Sequence, residues 1–118
     1  MPNQFKPPTV AEITFHYLGL LSQRARQADF DRAEKLFQQS LGRVRNADDV
    51  RAALALDKHR LLPVQMKSPL YERLLSLSGR TPRLLREYAQ EMYDFGPDFK
   101  DYADSLWNEA KRLELEQE

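Results

Sequence analysis

The stretch Ala28-Asp29-Phe30-Asp31-Arg32-Ala33-Glu34-Lys35-Leu36-Phe37-Gln38-Gln39-Ser40-Leu41 reads as a short connection running into an amphipathic helix. Ala33, Leu36, Phe37, Ser40, Leu41 and Val44 recur at the spacing of one helical face. Asp29 or Asp31 can cap the N-terminus of this helix, where a negative charge also suits the dipole, and Arg43 and Arg45 suit its C-terminus. The plan has an echo at Asp98 to Ala110, where Ala33, Leu36, Phe37 and Ser40 are answered by Ala103, Leu106, Trp107 and Ala110. The offset of 70 residues is two steps of about 35, within the range of helical repeats.

Upstream, Lys6-Pro7-Pro8 closes an extended N-terminal arm, residues 1–8, with Phe5 expected to fold back as an apolar anchor. A single helical domain is expected over residues 9–118. Thr9 and Glu12 have capping-box spacing, and Val10, Ile13, Tyr17, Leu18 and Leu21 form the apolar side of the first helix. Phe15 and Leu20 widen that surface, so neighbours on two sides are expected.

Downstream, Asn46, Asp48 and Asp49 mark the start of a third helix, expected to run as far as Leu62 because Pro63 disfavours helical backbone in the residue before it. Ser68-Pro69 predicts a cap and first helical residue for a fourth helix ending at Gly79. Thr81-Pro82 repeats that start, and Leu84, Leu85, Tyr88, Met92 and Phe95 carry a fifth helix up to Gly96-Pro97. Asp98 is the expected cap of the sixth, whose face is Phe99, Tyr102, Ala103, Leu106, Trp107, Ala110 and Leu113, and the terminal residues 113–118 are expected to fray. No segment alternates at period two. The fold class is therefore all-α, about six helices in three antiparallel hairpins, arranged as an open right-handed stack or as a closed helical bundle.

Composition bounds the function classes. The 118 residues suit one domain with a real core, and 42% apolar with 31% charged residues is an ordinary globular composition. Net charge is zero, with a basic first half and an acidic second half, so no bulk field draws the chain to nucleic acid or an anionic membrane. There is no cysteine, which removes disulfides and thiolate chemistry and fits a reducing cytoplasm. The first eight residues do not read as a secretory signal or a membrane-spanning segment. His16 and His59 belong to no metal-ligand pattern, and no phosphate loop or nucleophile, base and orienter set is present. The acidic series Asp94, Asp98, Asp101 and Asp104 lacks the glycine and terminal glutamate of a calcium loop. No enzyme activity, metal or cofactor is expected.

At Phe15, Leu18 and Gly19, and again at Ala33, Phe37 and Ser40, the chain resembles a divergent tetratricopeptide repeat protein. The pattern of that family has a large apolar residue and Leu-Gly on the first helix of each hairpin, and small, aromatic and small residues on the second. Gly19 and Ala33 are 14 residues apart where the family has about 12, and residues 46–80 lack the motif. The resemblance implies a superhelical stack and a non-catalytic adaptor holding a peptide or partner helix in a groove lined by first helices. Carried over, that groove consists of Ile13, His16, Leu20, Gln23 and Arg24 on the first helix, joined by Arg86, Gln90 and Tyr93 on the fifth. One alternative is a nucleic-acid contact through Arg73, Arg80, Arg83 and Arg86, which the acidic second half disfavours. Another is a homodimer through apolar ends of the array, capped only thinly by Leu113 and Leu115.

Overall fold

The computed structural model describes residues 6–117, so the anchoring expected of Phe5 lies outside the described residues. Six α-helices follow one another: α1 Val10–Ser22, α2 Gln27–Arg43, α3 Ala47–Leu56, α4 Val64–Ser78, α5 Pro82–Asp94 and α6 Lys100–Glu116, with one 3-10 turn at Pro97–Phe99 before the last. No strand occurs among the described residues. The chain is all-α.

Local chemistry sets most of these boundaries. Thr9 Oγ1 accepts the Glu12 N–H at 3.1 Å and Glu12 Oε1 accepts the Thr9 N–H at 3.0 Å, the reciprocal capping box that starts α1. Asn46 Oδ1 accepts from the Asp48 N–H at 2.7 Å to start α3, and the Thr81 hydroxyl oxygen accepts from the Leu84 N–H to start α5 with Pro82 in its first turn. Gly79 and Gly96 have φ of 92° and 120°, and a residue with a Cβ would be strained at either helix end.

Four boundaries differ from expectation. Helix α2 begins at Gln27, with Arg26 as the cap residue, and Asp29 serves inside the first turn by accepting the Arg26 N–H at 3.3 Å. Helix α3 stops at Leu56, because the Asp57 carboxylate draws the chain into a turn by accepting the Leu61 N–H at 2.6 Å and the Leu62 N–H at 3.3 Å. Helix α4 starts at Val64, and Pro69 lies inside it instead of opening it. The Pro63 carbonyl already accepts from Met66 and Lys67, so Pro69 sits just past the first turn and removes a single donor. Finally, α6 is entered through the 3-10 turn and has no side-chain cap, so Asp98 does not cap it.

The helices pair in sequence. Helix α1 packs against both α2 and α3, α3 against α4, and α4 against α5 and, less extensively, α2, while α5 and α6 form the most closely packed pair. Helices α3 and α5 are not in backbone contact, so the third hairpin packs on α4, with the Arg51–Glu87 ion pair reaching across from α3. The extents are 58 × 35 × 20 Å and the radius of gyration is 16.0 Å. A chain of this length packed as a sphere would have about 13–14 Å, so the molecule is somewhat elongated.

A single apolar cluster runs the whole length, with Phe37, Val50, Met66, Leu70, Leu85, Tyr88 and Ala103 excluded from solvent. Removing an aromatic ring such as that of Phe37 from such a site costs about 3–5 kcal/mol. The echo between α2 and α6 holds at the small residues and fails at the large ones. Ala33, Ala103 and Ala110 are buried, but Leu36 is 44% exposed where Leu106 is buried, and Phe37 is buried where Trp107 is half-buried.

Candidate partner-binding surface

Helix α1 presents two different faces. Val10, Ile13, Thr14, Tyr17 and Leu20 point into the core, and the buried Thr14 hydroxyl donates to the Val10 carbonyl at 2.8 Å, so its polar atom is satisfied within the helix. Tyr17 packs edge-on against Phe30 with ring centroids 5.2 Å apart. Its hydroxyl donates to Glu34 Oε1, and burial pushes the phenol pKa up.

The opposite face is bare. Phe15 is 69% exposed, the largest exposure of any aromatic ring among the described residues. Leu18 and Gly19 flank it half-buried, and His16 is exposed beside it. A Cβ built on Gly19 would meet nothing within 4 Å, so the glycine is not the close-packing element of the α1–α2 hairpin. Of the motif positions, Ala33, Phe37 and Ser40 on α2 are buried in the core, whereas Phe15 on α1 faces solvent. The Ser40 hydroxyl donates to the Pro8 carbonyl at 3.1 Å, which ties the N-terminal arm to the end of α2.

The predicted groove residues separate into three groups. Ile13 and Leu20 are core residues, 4% and 7% exposed, and do not line a groove; Leu20 takes a place on the buried stripe because that stripe is centred between Ile13 and Tyr17. His16, Gln23 and Arg24 are exposed along and just beyond α1, with Arg24 in left-handed backbone (φ 52°) as the chain turns toward α2. Arg86, Gln90 and Tyr93 lie on α5, which does not touch α1. Arg86 pairs with Glu114 and lies 5.8 Å over the Trp107 ring, and the Tyr93 hydroxyl donates to Asp104 at 2.5 Å. Gln90 donates to Asp94 at 3.2 Å. Two members of the α5 set are thus tied to α6, and no continuous groove joins them to α1.

The arginine cluster is similarly engaged. Arg80 grips both carboxylate oxygens of Glu109 at 2.7 Å, and this pairing holds the Glu109 carboxyl below its ordinary pKa and Arg80 above its own. Arg73 Nη2 donates to the Val44 carbonyl at 2.5 Å, and its Nε is buried without a partner. Arg83 is exposed and lines a polar cleft with Arg51, Thr81 and Glu87, in which Arg51 pairs with Glu87 at 2.7 Å. Arg73, Arg80 and Arg86 are therefore committed within the molecule.

A buried ionic centre lies apart from every predicted site residue. Lys67, 4% exposed, donates to Asp57 Oδ2 at 2.6 Å and lies 3.9 Å from Glu91 Oε2. Its signal was available: Lys67, Leu70, Tyr71 and Leu74 follow helical spacing, so once α4 begins at Val64 the lysine stands on an apolar stripe. No helix of the described residues is long and apolar enough to cross a membrane. Among the described residues no group of three or more His, Cys, Asp or Glu side chains is placed to hold a metal ion. No protein-family model, curated protein or solved structure matches the chain.

Proposed function

We propose that the chain is a non-catalytic protein–protein interaction module, an adaptor that receives a helix of a partner protein on the outer face of α1. The observation that carries this reading is Phe15, an aromatic ring 69% exposed in the middle of a well-capped helix and flanked by Leu18 and Gly19. Burying such a ring contributes about 1.5–3 kcal/mol, and buried aromatic anchors commonly dominate the energetics of an interface. His16, Gln23 and Arg24 supply a polar rim around it. The lack of cysteine suits a reducing cytoplasm, where we place this activity.

Because Phe15 faces solvent, Phe15→Glu should leave the melting temperature unchanged and abolish capture of the partner from cells of origin by the immobilised chain. Leu36→Glu, at an exposed position on α2, serves as the control and should retain capture. Equal capture by wild type and Phe15→Glu would contradict the reading.

A further inference from the structure

We infer that the helix received on this face is α1 of a second copy of this chain, lying antiparallel to the first; this rests on the reading of the outer face of α1 as a docking surface. The face is complementary to itself. Phe15 projects from it, 69% exposed, and one turn later Gly19 leaves open space where any other residue would place a Cβ. Residues four apart share a helix side and are separated by about 6 Å along the axis. A two-fold axis crossing the helices at the level of Tyr17 sets Phe15 over the partner's Gly19 and Gly19 under the partner's Phe15. Each protrusion meets the other copy's gap.

The charges agree with this register. Glu12 lies in the first turn of α1, and Arg24 follows just past its end, both exposed. The antiparallel arrangement sets the Glu12 end of each α1 beside the Arg24 end of the other, whereas a parallel arrangement would set like charge beside like charge. Such a dimer is closed and isologous, so it leaves no unsatisfied copy of the face to propagate into fibres. Helix α1 has 13 residues, a contact line of about 20 Å, and it buries less than the roughly 1,200 Å² of stable complexes. The association is therefore weak and concentration-dependent.

Sedimentation equilibrium of the full chain over a concentration series tests this with three proteins. Wild type should show a monomer–dimer equilibrium, and Phe15→Ala should weaken it by about tenfold or more. Gly19→Leu is the discriminating variant. Its side chain enters open space and improves helix propensity, so the melting temperature should hold or rise while the protein stays monomeric. A wild-type chain that remains monomeric throughout the series, or a Gly19→Leu chain that dimerises as wild type does, would overturn self-docking. If wild type is monomeric and Phe15→Glu still loses a captured partner, self-docking falls and the docking face stands. If wild type is monomeric and Phe15→Glu loses nothing, both fall.

Discussion

Lys67 shows how much one residue can organise. Its ammonium joins α4 to Asp57 at the end of α3 and approaches Glu91 on α5, and the same Asp57 carboxylate holds the Leu61 and Leu62 N–H groups that shape the α3–α4 connection. Asp57 is shielded from water, so removing its counter-ion leaves a buried charge unpaired. Lys67→Met should therefore cost about 3–5 kcal/mol in urea unfolding. Adding Asp57→Asn should recover most of that loss, because the amide needs no counter-ion and still offers an oxygen to the Leu61 N–H. Additive losses in the double variant would show that the ion pair is not the source of the effect. The sequence hid this centre behind the two prolines, since Ser68-Pro69 reads as a helix start and only a helix beginning at Val64 sets Lys67 among Met66, Leu70 and Tyr71.

At the scale of elements, α4, α5 and α6 are joined by a tyrosine seam. Tyr71 stacks on Tyr88 with an interplanar angle of 8° and centroids 5.1 Å apart, and Tyr102 meets Tyr88 edge-on at 5.7 Å. The hydroxyls are anchored in turn: Tyr71 donates to Glu87 at 2.8 Å, Tyr88 shares a 2.5 Å hydrogen bond with Ser68, and Tyr102 donates to Glu72. Burial, then the neighbouring Glu87, raises the Tyr71 phenol well above its ordinary value of 10.0, and burial is also the main cause at Tyr88. Phenols raised in the folded chain ionise first in the unfolded one. Their contribution to stability is thus intact below pH 10 and is lost as the pH rises above it. Stability should fall by up to about 1.4 kcal/mol per pH unit for each such phenol. Denaturant midpoints measured through this range should fall less steeply for Tyr71→Phe, which keeps the stacked ring without the ionisable group. Identical slopes for the two proteins would contradict the assignment. Helix count and the caps of α1, α3 and α5 were legible in the sequence because Thr9, Asn46 and Thr81 act on their own neighbours, whereas the starts of α2, α4 and α6 were not. The seam was not, because ring stacking depends on how α4, α5 and α6 come together.

For the whole molecule, the decisive property is that α1 packs against α2 and α3 and leaves its other face, with Glu12, Phe15 and His16, exposed. Apolar spacing predicted the all-α class, but it assigned the two sides of α1 poorly. Phe15 and Leu20 both lie beside the stripe drawn from the sequence, and Leu20 turns inward while Phe15 turns out. Periodicity fixes angles around a helix and says nothing of which angle a neighbour will occupy, so a broad apolar surface leaves the choice to tertiary packing. Both the adaptor reading and the self-docking of α1 depend on that orientation. It can be read directly, because the chain contains no cysteine and any introduced thiol reports alone. In dilute native protein, Phe15→Cys should react with a thiol reagent as fast as a free thiol, and Leu20→Cys should react only on unfolding. A protected thiol at position 15, or a freely reactive one at position 20 in the folded chain, would contradict the orientation of α1 and the docking face with it.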